Sequence, residues 1–171
     1  MRRMELGTAG HAAIDRRTAE ALASELLADV AIPQPWDRDE LARRLTTRFG
    51  KPIRILPLSE KVELQELLVA GISGTIIASA SSITIYFDDS GSEIHQQNII
   101  FHELGHYLLG DVTEDQIMCR TDFGEVRETN AELFARTMVL EVRRHDTLQR
   151  APHTDDHPGV QRLGGALADA D

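Results

Sequence analysis

The sequence predicts an α+β fold, a small twisted three-stranded sheet packed on helices. Apolar residues recur at helical spacing near the N-terminus and again in the second half of the chain, whereas the middle holds short runs rich in isoleucine and threonine. The chain has 171 residues, which suits one domain with a substantial core. We expect that domain to span residues 13–144, between a flexible tail over 1–12 and a polar, disordered tail over 145–171.

Two helices are predicted first, over residues 14–30 and 38–49. The first is rich in alanine and leucine, and a proline-containing run over 32–36 ends it. Asp37 then has the side chain that commonly caps a helix start, and Gly50 is the residue that most often follows a helix end. These end signals predict two separate helices rather than one long one.

Three strands are predicted next, over residues 52–58, 71–78 and 82–88. The third shows strict alternation of apolar and more polar residues, and small residues over 79–82 suit a turn that pairs it with the second. The segment over 59–68, between the first two strands, is predicted to be one helical turn or a loop.

A third long helix, over residues 93–109, carries the most informative motif of the chain, His102-Glu-Leu-Gly-His106. Ser90 and Glu93 have the spacing of a capping box at its start. Gly110 stands where a left-handed residue commonly ends a helix. A broad apolar stripe indicates that this helix is mostly buried.

This motif reads H-E-x-x-H, a pattern that suits a metal ion. Residues four apart lie on the same face of a helix, so His102 and His106 can direct two ring nitrogens at one ion, at roughly 2.0–2.1 Å for zinc. Glu103 lies beside the first ligand, where it can reach a water at the metal without binding the metal itself. This is the position of a general base. The alternative is that the two histidines are ordinary core or surface residues that bind no metal.

A third ligand is expected from the helix that follows, over about 125–143, because catalytic zinc typically takes three protein ligands. Glu128 and Glu132 share a face with Ala131 and Ala135, whose small side chains would let this helix approach the motif helix closely. Either glutamate is a candidate oxygen ligand, and the alternative for each is a solvent-exposed helix charge. Zinc suits such a donor set, although manganese or iron could also occupy it.

Charge and composition restrict the partners. Residues 1–54 hold 10 Lys/Arg and 8 Asp/Glu, whereas residues 55–171 hold 8 and 20. The acidic second part disfavours direct contact with nucleic acid and favours a basic polypeptide partner. The alternative is that the acidic residues are simply solvated surface.

We see no apolar run long enough for a membrane span and no secretion signal. The single cysteine, Cys119, suits a reducing cytoplasm and is expected to be structural, with metal binding or reactivity as the alternatives.

Two stretches together resemble the ImmA/IrrE family of metallopeptidases. They are His102-Glu-Leu-Gly-His-Tyr-Leu-Leu109 and Glu128-x-x-Ala131-x-x-Phe134-Ala135, and the resemblance covers about residues 35–142. It implies a minimal zincin-like fold with His102, His106 and Glu128 as metal ligands and Glu103 as the general base. It also implies that the strand over 82–88 forms the sheet edge that pairs with an extended substrate.

The chain departs from the family at two places. Met138-Val-Leu-Glu141 stands where the family helix commonly ends in Leu-Leu-Met-Pro, and Asn130 stands where an acidic residue often precedes the alanine. Neither departure touches an expected ligand.

The peptidase mechanism also calls for a second group that stabilises the oxyanion. Tyr86, Tyr107 and His145 are the candidates for this role.

The function implied by the resemblance is a cytoplasmic zinc metallo-endopeptidase that cleaves a regulatory protein, such as a helix-turn-helix DNA-binding repressor, in stress or mobile-element regulation. The alternative is a non-proteolytic metal-containing module that docks on a transcription factor or toxin partner. Neither hypothesis includes direct nucleic-acid or membrane binding.

Overall fold

The computed structural model describes residues 13–61, 64–112, 116–118 and 124–150. The elements in chain order are α1 (Arg16–Asp29), α2 (Arg38–Phe49), β1 (Ile53–Pro57), a 3-10 turn (Leu58–Glu60), α3 (Gln65–Val69), β2 (Gly74–Ala78), β3 (Ile83–Phe87), α4 (Glu93–Leu108), β4 (Gln116–Met118) and α5 (Glu125–Arg150). The predicted α+β class is confirmed. None of the described helices is both long and apolar enough to cross a lipid bilayer.

Of the two predicted tails, the structure describes only the first residues of the C-terminal one, up to Arg150. The N-terminal one, over 1–12, lies outside the described residues, as does the C-terminal one from residue 151 onward. Helix α5 continues to Arg150, past its expected end near residue 143. It therefore runs straight through Met138-Val-Leu-Glu141, the stretch that lacks the proline with which the family helix commonly ends.

The sheet has the strand order β1-β3-β2-β4. Strand β3 pairs in parallel with β1 and antiparallel with β2, and β2 pairs antiparallel with β4. The three predicted strands are present, and β4 is an addition from a segment that we predicted to be a polar connection. Its three residues are too few to show alternation in the sequence.

The expectation that β3 is a sheet edge is wrong. Both sides of this strand are paired, and the edges of the described sheet are β1 and β4. All five residues of β3 are buried, as is usual for an interior strand. The sequence could not reveal this, because a local pattern identifies a strand but does not fix the order in which strands pair.

One face of the sheet packs on α4. Gly74 and Phe87, which are directly opposite each other in the β2–β3 pair, lie on this face, and so do the other residues two and four positions along each strand. The apolar residues of this face join those of α4 in one core cluster, which includes Ile76, Ile85, Ile100 and Leu104. The sheet thus supports the helix that carries the H-E-x-x-H motif.

Helix ends follow the predicted signals with one exception. Asp37 accepts a hydrogen bond from the Glu40 backbone N–H at 2.9 Å, and Gly50 ends α2 with a left-handed φ of 67°. Helix α4, however, is capped by Ser92, which accepts from the His95 N–H at 3.4 Å. The predicted capping box at Ser90 is therefore wrong.

Ser90 lies in the β3–α4 loop, where its backbone N–H donates to the carboxylate of Asp88 at 2.9 Å. This hydrogen bond holds the pKa of Asp88 below its ordinary value. The loop takes up a short turn closed by the aspartate side chain, and the capping residue is Ser92, two positions after the serine that the capping-box spacing suggested.

Helix α5 packs on both α4 and α1. Asn130 is buried, and its side-chain oxygen accepts a hydrogen bond from the Ile14 backbone N–H at 2.9 Å. An amide at this position therefore ties the start of the described chain to α5 without burying a charge.

Candidate metal centre

The two histidines of the motif face each other on α4. Their Nε2 atoms are 3.1 Å apart, and their ring planes are inclined by 82°. His102 is 4% exposed and His106 is fully buried. The helical spacing thus brings both ring nitrogens to one point, as predicted.

Glu128 of α5 supplies the third group at this point, a carboxylate. Its Oε2 lies 3.4 Å from Nε2 of His102, and its Oε1 lies 3.6 Å from Nε2 of His106. The three side chains form the group that could hold a metal ion among the described residues. The Glu128 side chain is 30% exposed, so the centre meets solvent on its α5 side.

Glu132, the other candidate, occupies a different position. Its Oε2 lies 3.6 Å from Nδ1 of His102, the ring nitrogen that does not face His106. Its Oε1 pairs with Nε of Arg136 at 2.8 Å. The structure therefore brings Glu128 together with the two histidines, and it places Glu132 behind the ring of His102.

Close packing of α4 and α5 lets Glu128 reach the histidines. Ala131 and Ala135 are fully buried, as expected from their place on the same face as the glutamates. The facing residue on α4 is Gly105, within the motif. A Cβ atom there would lie 3.1 Å from Cδ1 of Phe134 and 3.4 Å from the backbone of Ala131. The glycine thus permits a close approach of the α4 and α5 backbones, which a larger residue would hold apart.

The donor geometry fits a small divalent cation. Ligands of a tetrahedral ion at about 2.0–2.1 Å lie about 3.3–3.4 Å from one another. The two Nε2 atoms are 3.1 Å apart, and the two carboxylate oxygens of Glu128 lie 3.4 Å from Nε2 of His102 and 3.6 Å from Nε2 of His106, each close to this value. Oε1 of Glu128 is buried and has no hydrogen-bond partner among the described residues. Two imidazoles and a carboxylate are compatible with zinc, manganese or iron, so the donor set does not by itself name the metal.

Asp111 is a part of the site that sequence reasoning missed. Its Oδ2 lies 3.0 Å from Nδ1 of His106, and its side chain is 3% exposed. Nε of Arg127 forms an ion pair with the other carboxylate oxygen of Asp111 at 3.6 Å. A carboxylate on the outer nitrogen of a histidine fixes the ring tautomer and orientation and makes the inner nitrogen a better ligand.

The end of α4 places Asp111 there. Gly110 has a φ of 78°, its N–H donates to the carbonyl of Tyr107, and the N–H of Asp111 donates to the carbonyl of His106 at 2.9 Å. These two bonds form a Schellman motif, which turns the chain back over the last helical turn. The signal that could have revealed Asp111 is an acidic residue directly after the predicted left-handed glycine and five residues after the second histidine.

The outer carboxylates also define which ring nitrogens face the centre. Asp111 accepts a hydrogen bond from the Nδ1–H of His106, and the carboxylate of Glu132 lies 3.6 Å from Nδ1 of His102. The Nε2 atoms of the two histidines are the nitrogens that face each other and the Glu128 carboxylate.

Glu103 directly follows His102 in the chain but is not a member of the donor group. It is 3% exposed, and its side chain lies against the sheet at Gly74, the first residue of β2. Its place in the chain, directly after the first histidine and outside the donor group, is the one that the motif predicts for a general base.

The three candidates for a second oxyanion donor lie in different parts of the structure. Tyr86 pairs with Thr75 in the sheet and so lies on the face opposite the one that packs on α4. Tyr107 packs its ring edge-on against Phe49 at 5.7 Å. The side chain of His145 lies outside the described residues, as does Cys119. Tyr86 is therefore excluded by its position in the sheet.

Comparison of the chain with family models, with curated proteins and with solved structures finds no match. The resemblance to the ImmA/IrrE family thus rests on the motifs of the sequence alone.

Replacing Asp111 by alanine should weaken metal binding about 10–100-fold, because His106 then loses the carboxylate that orients its ring. Isothermal titration or competition with a chromogenic chelator would measure this affinity. Asp39→Ala, on the exposed surface of α2, is the matched control and should leave the affinity unchanged. An Asp111→Ala protein with wild-type affinity would contradict the orienting role.

Proposed function

We propose that this protein is a zinc-dependent metallo-endopeptidase similar to the ImmA/IrrE family, and that it cleaves a regulatory protein such as a helix-turn-helix repressor. One observation carries the proposal. His102, His106 and Glu128 converge at distances that suit one ion, and Glu103 lies next to the first of them without joining the group. A metal with an adjacent, separate carboxylate is an arrangement that supports metal-assisted peptide hydrolysis.

The roles of the side chains follow from this arrangement. When bound, a zinc ion supplies a Lewis acid that lowers the pKa of water to about 7 and polarises a peptide carbonyl. The carboxylate of Glu103 accepts the proton of the attacking water and then donates it to the leaving amine. Asp111 holds the ring of His106 in place throughout.

An extended substrate would pair with a sheet edge near Glu103. Because β3 is internal, we assign this role to the side of the sheet formed by β4. Strand β4 is the direct neighbour of β2, whose Gly74 adjoins Glu103, whereas β3 separates β1 from β2. The net acidic charge of residues 55–171 would favour a basic substrate such as a DNA-binding protein.

The proposal is tested by incubating the zinc-loaded protein with purified repressors encoded by neighbouring genes, followed by intact-mass spectrometry. We expect discrete fragments from at least one repressor and none after the metal is removed with a chelator. Stable binding of a repressor without any fragment would instead favour the non-proteolytic docking module. Fragments that form equally well without metal would contradict a metal-dependent mechanism.

A further inference from the structure

We propose that Gly74 is a positioning residue for the proposed general base: the missing side chain at this strand position leaves the space in which the Glu103 carboxylate lies. This inference rests on the proposed function, because Glu103 acquires its importance only through that chemistry. It concerns a residue of the sheet, outside the H-E-x-x-H motif and outside the donor group.

The backbone does not explain why residue 74 is a glycine. The described glycines with a positive φ are Gly50, Gly71 and Gly110, and Gly74 is not among them. It is the first residue of β2 and is directly paired with Phe87 of β3. An L-amino acid with a side chain could adopt this backbone, and glycine in a strand gives up both packing and conformational entropy. A close neighbour is the usual reason for such a residue.

The neighbours are the side chains of two residues on α4. A Cβ atom at residue 74 would lie 2.8 Å from Oε1 and 3.1 Å from Cγ of Glu103, and 2.6 Å from Cγ2 of Ile99. Contacts this short lie well inside the optimal separation of non-bonded heavy atoms. A methyl group at this position therefore cannot be added unless one of these groups moves.

Glu103 is the group that can move. Ile99 is 5% exposed and belongs to the core cluster, and a β-branched residue in a helix is largely confined to one rotamer. The Glu103 side chain can instead turn about three single bonds. Its displacement would move the carboxylate from its place against Gly74 and leave the donor group, which is built from other residues, where it is.

The test is the crystal structure of Gly74→Ala, with and without added zinc, beside that of the wild-type protein. We expect the Glu103 carboxylate to be displaced by about 1 Å or more, with His102, His106 and Glu128 in their original positions and zinc bound at full stoichiometry. A Glu103 side chain that stays in place, while Ile99 or β2 shifts to accept the methyl group, would overturn the inference.

Kinetics on a cleaved repressor peptide give a second readout. A misplacement of about 1 Å at a reacting group costs about 100-fold in rate, so kcat should fall by about this factor in Gly74→Ala with little change in KM. The loss should be smaller when the same change is made in a Glu103→Asp protein, whose shorter side chain leaves room for the methyl group. An equal loss in both backgrounds would indicate a role in packing alone.

Two further variants complete the design. Gly124→Ala is the matched control, because a Cβ atom there meets no other atom within 4 Å and the backbone has no positive φ. If Gly74→Ala does not fold, Gly74→Ala combined with Ile99→Ala removes the contact with Ile99 and retains the one with Glu103; a displaced Glu103 carboxylate then supports the inference, and a Glu103 side chain that stays in place overturns it.

Failure of this inference and failure of the proposed function are distinguishable. A Glu103→Gln protein that cleaves normally would refute the peptidase mechanism and with it the importance of residue 74. An inactive Glu103→Gln protein together with a fully active Gly74→Ala protein would refute the positioning role alone.

Discussion

Glu103→Gln should abolish peptide cleavage while the protein keeps its full metal content. Glutamine has nearly the same shape as glutamate but cannot accept the proton of the attacking water, and a general base contributes about 10²–10⁴-fold to a rate. Glu103 is not a member of the donor group, so the affinity for metal should change little. Initial rates on a repressor peptide and the metal content by mass spectrometry measure the two effects separately.

The matched control is His102→Ala, which removes a ligand and should lose both the metal and the activity. Normal cleavage by Glu103→Gln would contradict the assigned mechanism. Loss of metal from Glu103→Gln would show that this carboxylate binds the ion, in conflict with its place against Gly74.

Glu128→Ala should cost about 100-fold or more in metal affinity, whereas Glu132→Ala should cost less than about tenfold. Structural zinc sites with four ligands bind with about 10–16 kcal/mol, so each ligand carries on the order of 3 kcal/mol, which corresponds to a factor of about 100. Glu128 faces the Nε2 atoms of both histidines, and Glu132 faces only the outer nitrogen of His102.

These two glutamates form a well-matched pair, because they lie one turn apart on the same helix and their side chains are 30% and 37% exposed. Zinc affinity by competition with a chelator at one pH would measure the difference. Equal losses in the two variants, or a larger loss in Glu132→Ala, would contradict the assignment of Glu128 as the third ligand.

Local sequence patterns predicted the parts of this site that depend on neighbouring residues. The spacing of His102 and His106 fixes their common face, and Gly110 ends α4 in the left-handed conformation expected of it. The same kind of reasoning narrowed the third ligand to Glu128 or Glu132 and could not choose, because both lie on the side of α5 that approaches α4. The choice depends on how the two helices cross at Gly105 and Ala131.

Features that depend on pairing between distant segments could not be read from the sequence. The interior position of β3 follows from its parallel pairing with β1, which brings together residues about 30 positions apart. Strand β4 is too short to have its own pattern. Asp111 reaches His106 only because a Schellman motif turns the chain back, and Gly74 matters only because α4 packs on that face of the sheet.

The central claim is that His102, His106 and Glu128 bind one divalent ion. Crystals of the zinc-loaded protein, with diffraction data collected on both sides of the zinc absorption edge, test it most directly. We predict a single anomalous peak at full occupancy, within about 2.0–2.2 Å of both Nε2 atoms and of a Glu128 oxygen. A peak bound instead through Glu132 or Asp111, or no peak between the two histidines, would contradict the account.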